Sequence, residues 1–559
     1  MKRLLLLLVP LLWAGVPRAR AEDDARDLSF LTFDRYYDVE QVGAALYATH
    51  AAFPRATRLE SMGRSREGRE LHVLTVFDPA AGDPDAKPAM YIDGNTHGNE
   101  VQATEVCLYT IKYLLTKDDP WVRELLRHVT FHIAPCVNPD ARHRFFHTPQ
   151  TPHGPRHVLR PYDNDRDGQA DEDGPDDLDG DGHILRMRIR DPNGDQVVDE
   201  RDDRLLRPRE PGEQGQYRML GVEGTDEDGD GRLNEDGEGG VDPNRNWPAQ
   251  WRPARHQYGA GPYPLSEPET RSTALWILDR PHIAGVQSYH NTGRMILRPP
   301  AAWSDDELGV PHSDRKLYDA IAKRGLVVLP SYEYLTVRKL YQVFGGFIAW
   351  TWLDLGAFSF TNELWGDLGM DVPDAGDDRR LAALRWNDVA LHGNGFVRWY
   401  EVDHPQYGKV ELGGWKRFTV RTTPPDFLSE TCVRNTLFSL EHAAMLPRLR
   451  LETLGSVSEG RLRVRITNDG VLPTIHGLAR RQGTLPADRL RLEGARILAA
   501  SRPRTGQRAE VVEVRGGTVR LPDGIEGKTA VELDLYVEGA PKALVLESRI
   551  GGDHREVIE

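Results

Sequence analysis

Tyr91-Ile-Asp-Gly-Asn-Thr-His97-Gly-Asn-Glu100 is the stretch from which the rest of the chain is read. Ahead of it, Ala89-Met90-Tyr91-Ile92 is an apolar run that predicts a buried strand. Asp93-Gly94 predicts the turn, and helical periodicity starts at Val101 and runs through Leu108 to Leu115. A strand, a short turn and a helix form the place where an open α/β sheet presents ligands at its carboxyl edge. His97 and Glu100, three residues apart on that turn, can face one metal ion, with a nitrogen from the imidazole and oxygens from the carboxylate. A third ligand must then come from elsewhere in the chain.

Working outward, 559 residues with 39% hydrophobic content and 12 tryptophans allow two or more domains and a large core. The formal charge of −15 excludes nucleic acid as an expected partner, because phosphate binding needs a basic surface. At the N-terminus, Met1-Lys-Arg3, the apolar run Leu4 to Val16 and Ala19-Arg-Ala21 predict a signal peptide over 1–21. The expected product is a secreted or periplasmic protein with no membrane anchor after cleavage. Cys107, Cys136 and Cys432 are too few and too widely spaced for a disulfide framework, and buried free thiols are expected.

Along the chain, Val42, Leu46 and Phe53 follow helical spacing, Leu71 to Phe77 alternates as a strand, and His128 to Val137 reads as another, ending at Asn138-Pro139-Asp140. The composition changes over about 155–240. Asp163-x-Asp165-x-Asp167-Gly168, Asp177-x-Asp179-x-Asp181-Gly182, Asp191-x-Asn193-x-Asp195 and Asp226-x-Asp228-x-Asp230-Gly231 recur there. Alternate carboxylates before a glycine can converge on a hard cation, so Asp163, Asp165, Asp167, Asp226, Asp228 and Asp230 are candidate calcium ligands. No repeat has a glutamate at the twelfth position, so these are not full EF-hands. The core pattern resumes at Asp242 and closes with a helical stretch, Phe427 to Leu446. From Pro447 onward short alternating strands such as Leu462-x-Val464-x-Ile466 predict a β-sandwich over 449–559.

His290, in Val286-Gln-Ser-Tyr-His290-Asn291, reads as a strand end and is the best third ligand beside His97 and Glu100. His97-x-x-Glu100, Asp242-Pro-Asn244-Arg245-Asn246-Trp247, His290, Tyr341-Gln342 with Gly345-Gly346, and Phe360-Thr-Asn-Glu363-Leu364 occur in one order. This series resembles the zinc metallocarboxypeptidase family, over roughly 34–365 apart from the acidic insertion. The Gly94-Asn-x-His-Gly-Asn-Glu100 wording is similar to the carboxypeptidase N/E branch. The resemblance implies a mixed α/β sheet flanked by helices over 22–448, interrupted by the calcium-loop insertion and followed by the β-sandwich.

It also implies chemistry. Zinc held by His97, Glu100 and His290 keeps a position for water and lowers its pKa, and Glu363 is the implied base. Asn244 and Arg245 are implied to grip the carboxylate of a peptide C-terminus, since a guanidinium fork matches a carboxylate, with Tyr341 closing over it. Ile348 falls where the family sets side-chain preference, which implies an apolar or aromatic terminal residue. The arginine that polarises the scissile carbonyl belongs between the Asn-Pro-Asp turn and the Asn-Arg pair, and Arg188, with Arg186 next, is the expectation. The expected activity is removal of residues from peptide or protein C-termini. A same-fold amidohydrolase of cell-wall peptides and a non-catalytic calcium-stabilised binding protein are the alternatives.

Overall fold

The computed structural model describes residues 27–366, 376, 378–455, 457–503 and 508–558, so the expected signal peptide lies outside the described residues. Eight strands form the central sheet in the spatial order Thr57–Arg64, Glu70–Val76, Thr130–Ala134, Ala89–Gly94, Ile283–Asn291, Phe358–Leu364, Met295–Arg298 and Glu333–Thr336. The middle four are mutually parallel. Antiparallel pairings flank them on both sides, which makes the sheet mixed.

Both faces of this sheet are covered. Met90 and Ile92 point into one apolar cluster, with Val106 and Ile111 of the helix Gln102–Thr116 and Phe438 of the helix Pro425–Ala443. Ala89 and Tyr91 point the other way, towards Trp276 of the helix Pro268–Leu278 and Phe347 and Trp350 of the helix Phe347–Leu353. Successive strand residues face opposite sides, and a sheet buried on both reads as the unbroken apolar run seen in the sequence. Complete burial of a side chain such as Ile92 contributes roughly 1.5–3 kcal/mol. The three cysteines are buried and free.

The turn after the strand Ala89–Gly94 has no room for side chains at its glycines. A Cβ on Gly98 would lie 2.3 Å from Cβ of Ala141 and 2.6 Å from the carbonyl oxygen of Pro155. Asn95, at φ 58°, donates from its amide to the carbonyls of His97 and Gly98. Arg142, fully buried on the helix Pro139–His147, donates to Asn95 Oδ1, the Val101 carbonyl, Thr104 Oγ1 and Glu105 Oε1. The turn is therefore clamped to the start of the helix Gln102–Thr116 by an ion pair that needs no water.

The acidic insertion is not a loop. Its strands Arg186–Arg190, Gln196–Asp199, Asp202–Pro208 and Tyr217–Val222 belong to a six-stranded antiparallel sheet. That sheet is completed by a hairpin from much later in the chain, Phe396–His404 and Gly408–Trp415, with Leu412 opposite Met187. Leu185, Met187, Val410 and Leu412 close a small core between the two segments. The expected repeat at Asp191 is the turn that joins the strands Arg186–Arg190 and Gln196–Asp199, which lie on either side of Tyr217–Val222, with the Gly194 N–H bonded to the Asp191 carbonyl.

The last part of the chain is antiparallel throughout. Two long strands, Asp488–Arg502 and Thr529–Ser548, pair along both halves, with register shifts at 493/495 and 497/499. Gly494, at φ 79°, sits at the first bend, where a Cβ would meet the Ala540 carbonyl at 2.7 Å. Residues from both halves, Leu490 and Leu492 with Ile497 and Ala500, share one core, which is how the bent strands make a β-sandwich. It docks on the central unit through Asp314, whose carboxylate accepts from the N–H groups of Gly477 and Leu478.

Candidate metal centre and active site

His97 and Glu100 come from the turn beyond the strand Ala89–Gly94, and His290 from the next strand, Ile283–Asn291. All three are buried. His97 Nδ1 lies 2.8 Å from Glu100 Oε1, His290 Nδ1 2.9 Å from Glu100 Oε2, and the two Nδ1 atoms are 3.2 Å apart. Ligands 2.0–2.1 Å from a tetrahedral zinc would sit about 3.3 Å from one another, so the donor set fits that ion with little movement. Two imidazole nitrogens facing each other and a carboxylate, out of water, are satisfied together by a cation.

The outer ring atoms are held as metal-binding histidines require. His97 Nε2 lies 3.0 Å from Asp242 Oδ1, and His290 Nε2 3.3 Å from Ser288 Oγ. With Nδ1 of each ring turned to the metal site, Nε2 faces these partners, which fixes the ring planes, and Arg156 Nη2 also lies 2.9 Å from His97 Nε2. Burial works against ionisation of Asp242, yet Arg245, His97 and Arg156 hold its carboxyl well below the usual carboxylate range. Glu100 is likewise held well below its ordinary value, with burial opposed by His97 and His290.

Glu363 stands on the adjacent parallel strand, Phe358–Leu364, directly across from His290 in register. Burial first, and then the charge of Glu100, push its carboxyl up to about 7, while His290, Arg156 and Arg421 pull the other way. A dication at the cluster would add to that pull.

The structure corrects the choice of arginine. Arg188 lies in the insertion's own sheet, paired with Glu411 at 2.6 Å and held between the rings of Tyr217 and Trp399. Arg186, on the same strand, pairs in register with Gly413 and Val222. The arginine at the metal centre is Arg156, which donates to Glu100 Oε1 at 3.0 Å and to Asp242 Oδ2 at 3.3 Å. Its charge also acts on the Glu363 carboxyl. In the sequence Arg156 lies at the edge of the acidic composition and reads as part of the insertion. Its order in the chain, after Asn138-Pro139-Asp140 and before Asn244-Arg245, was the signal that could have found it.

Asn244 and Arg245 follow Asp242 in a single short turn, Pro243–Arg245. Asn244 Oδ1 accepts from the Phe347 N–H, and Arg245 donates to the Asn244 carbonyl at 2.8 Å. The Arg245 guanidinium lies 5.8 Å from the ring centre of Tyr341, which is 48% exposed. Ile348 is buried beside Trp247, Phe347 and Trp350, one residue beyond the Asn244 contact. The candidate calcium residues form loops away from the zinc cluster. In each, the first aspartate accepts backbone N–H groups of its own turn, Asp163 from Arg166 and Gly168, and Asp226 from Gly229 and Gly231.

The geometry agrees with comparison to known proteins. The family model described as zinc carboxypeptidase matches residues 42–153 and 218–376, and the chain carries a domain of that family. The gap, 154–217, holds Arg156 and most of the insertion. Mouse carboxypeptidase D is 43% identical over 91 residues, 16% of this chain and 6% of that protein. Human carboxypeptidase A6 is 24% identical over 284 residues, 49% of this chain and 47% of that one. The chain thus spans about half or less of the length of these relatives. Among solved structures, thrombin-activatable fibrinolysis inhibitor is 16% identical, covering 75% of this chain and 76% of that one, at a TM-score of 0.46. Carboxypeptidase A from Helicoverpa armigera is 17% identical over 74% of each chain, at 0.45.

Proposed function

We propose that the protein is an exported zinc-dependent carboxypeptidase that removes residues from peptide C-termini. The observation that carries this reading is the convergence of His97, Glu100, His290 and Glu363 with Arg156, Arg245 and Tyr341 around one centre, which we read as the catalytic cleft.

His97 Nδ1, Glu100 and His290 Nδ1 would hold a zinc ion, which would supply Lewis-acid chemistry at this point. Glu363 is the group placed to take a proton from the attacking water and pass it to the leaving amine, which needs a carboxyl that exchanges protons near neutral pH. Arg156 turns a guanidinium towards the carbonyl oxygen where negative charge develops. Arg245 pairs with the free carboxylate of the terminal residue, Asn244 adds its amide, and Tyr341 covers the pair. Ile348 offers an apolar contact to the terminal side chain, which favours aromatic or aliphatic ends over lysine or arginine.

The N-terminal segment 1–21 is read as an export signal, which places the enzyme outside the cytoplasm. The acidic loops around Asp163, Asp165 and Asp167 and around Asp226, Asp228 and Asp230 are read as calcium sites, since oxygen donors alone suit a hard cation. The test is a panel of free-acid peptides, their amides and muropeptides, incubated with the purified zinc protein and analysed by mass spectrometry. Stepwise loss of C-terminal residues from free acids alone is expected. Equal cleavage of acids and amides rejects a carboxypeptidase, and cleavage confined to muropeptides assigns an amidohydrolase.

A further inference from the structure

Residues 163–174 and 226–237 share one twelve-residue pattern, Asp-x-Asp-x-Asp-Gly-x-x-Asp/Asn-Glu-Asp-Gly. They also share one backbone. Positive φ falls at the same three offsets: Arg166 and Gly229, Gly168 and Gly231, and Asp171 and Asn234, the last two at 59° and 60°. The loops lie antiparallel against each other through a bridge between Asp173 and Asp236, where the Asp236 N–H donates to the Asp173 carbonyl at 3.1 Å.

Their acids cross from one loop to the other. An oxygen of Asp165 lies within 4.8 Å of oxygens of Asp228, Asp230 and Glu235. Asp163 and Asp165 group in the same way with Asp236. Glu235 stands against Asp173, and Glu172 against Asp236, in reciprocal pairs. Asp173 is 1% exposed, and neither of its carboxylate oxygens has a hydrogen-bond partner. Both oxygens of Glu235 and one of Glu172 are buried and unpartnered as well. Among the described residues no lysine or arginine pairs with Glu172, Asp173, Glu235 or Asp236. Buried carboxylates set against each other without compensating charge are strongly unfavourable, and a cation between them removes the penalty. Oxygen donors with no imidazole or thiolate select a hard ion of the calcium type.

The same loops hold the two segments that reach the zinc cluster. From Arg156 the chain passes Val158, bridged to Val241 with N–H to O at 3.0 Å, and enters the first loop at Asp163. From the end of the second loop it passes Gly239 to Asp242, Asn244 and Arg245. Asp171 Oδ1 accepts from the Tyr162 N–H and from the Gly239 N–H, both at 3.1 Å, so one loop carboxylate ties both strands of this ribbon. His157 Nδ1 lies 3.3 Å from the Gly239 carbonyl between them.

We propose that the two loops form one paired calcium site with ligands exchanged across the pair, and that its occupancy positions Arg156 and Arg245 at the zinc cluster. This rests on the reading of the loops as calcium sites and of the cleft as a carboxypeptidase centre. Asp173 and Glu235 are the bridging ligands. Arg156 and Arg245 are delivered by opposite strands of the ribbon that the pair closes, so calcium controls the grip on substrate without touching it.

The experiment uses the mature zinc protein, freed of calcium by a calcium-selective chelator, with zinc content followed by elemental analysis. Calcium is titrated calorimetrically into wild type, Asp173→Asn and Asp228→Asn. Hydrogen exchange is followed at 155–158 and 239–246, and kcat/KM is measured on a free-acid peptide and its amide. Each single substitution, in either loop, is expected to weaken calcium binding tenfold or more. Calcium is expected to slow exchange in both segments. It is also expected to raise kcat/KM on the free acid at least tenfold, mainly through KM, at constant zinc. The preference for acid over amide should shrink when calcium is removed. Absence of calcium binding to wild type overturns the calcium reading itself. Binding that Asp173→Asn leaves unchanged overturns the shared site. Binding that alters neither exchange at 155–158 and 239–246 nor KM overturns the link to the cleft. If no peptide is cleaved under any condition the peptidase reading fails, and the exchange measurement alone decides the positioning.

Discussion

The zinc cluster and the paired acidic loops each gather cation-binding side chains, but they are built by opposite means. His97 and Glu100 are fixed from behind by residues distant in the chain, Asp242 on His97 and Arg142 under the turn, and His290 by its strand neighbour Ser288. In the loops each leading aspartate is fixed by N–H groups three and five residues ahead of it. The first kind of site stays assembled as long as the core does, because its geometry is part of the packing. In the second each loop is shaped locally, and the acids buried where the two loops meet repel one another when no cation is present. The expectation is that the first centre tolerates loss of its ion and that the second depends on it.

The largest effect that can test this contrast is at Glu363. Glu363→Gln should lower kcat about 10²- to 10⁴-fold, the range for losing a general base, with zinc still near one per chain. His97→Ala should lose both activity and zinc. If Glu363→Gln keeps most of the wild-type kcat, the base is assigned to the wrong residue.

Next is the scaffold beneath the turn. Arg142→Leu leaves Glu105 buried without its partner at 2.9 Å, and urea unfolding should show a loss of about 3–5 kcal/mol. A loss near zero would mean that the zinc turn is not clamped in this way. Arg245→Ala should cost about 2–5 kcal/mol in kcat/KM on free-acid peptides, the scale for truncating one partner of a buried charge pair. Amides, lacking the carboxylate, should be nearly indifferent to it.

Calcium removal should act on stability where zinc removal does not. Binding to the native form alone stabilises by about 2.7 kcal/mol at a hundredfold excess over Kd. A calcium-selective chelator should therefore lower Tm and open 155–240 to proteases, while the central sheet stays protected. Unchanged Tm and digestion pattern would remove the contrast between the two centres.

The smallest effect concerns Glu269, buried at the start of the helix Pro268–Leu278 with its Oε1 on the Arg66 N–H and its Oε2 unpartnered. Burial first, helped by Asp140 and Glu267, pushes its carboxyl from 4.5 up to about 7. A raised folded value means that its contribution is full below pH 4.5, declines as pH rises, and is lost once pH passes about 7. Glu269→Gln keeps the bond to Arg66 and removes the titration. Its Tm relative to wild type should accordingly rise between pH 5 and pH 8, and a constant difference would contradict the buried, uncompensated state of Glu269.

The sequence by itself determined the zinc turn, the run of ligand and carboxylate-binding motifs, the buried strands and the loop repeats. Each of these is written in neighbouring residues: apolar runs at one period, His-x-x-Glu, Asp-Pro-Asn-Arg, and Asp-x-Asp-x-Asp-Gly. Tertiary structure decided what lies far apart in the chain. It chose Arg156 over Arg188, because a lone arginine has no local signature, and Glu411, Tyr217 and Trp399 had already claimed Arg188. It turned the insertion into a sheet by bringing in the hairpin Phe396–His404 and Gly408–Trp415, since β pairing is satisfied by backbone groups that any sequence carries. It also set the two acidic loops face to face, where Asp173 and Asp236 meet by folding rather than by spacing.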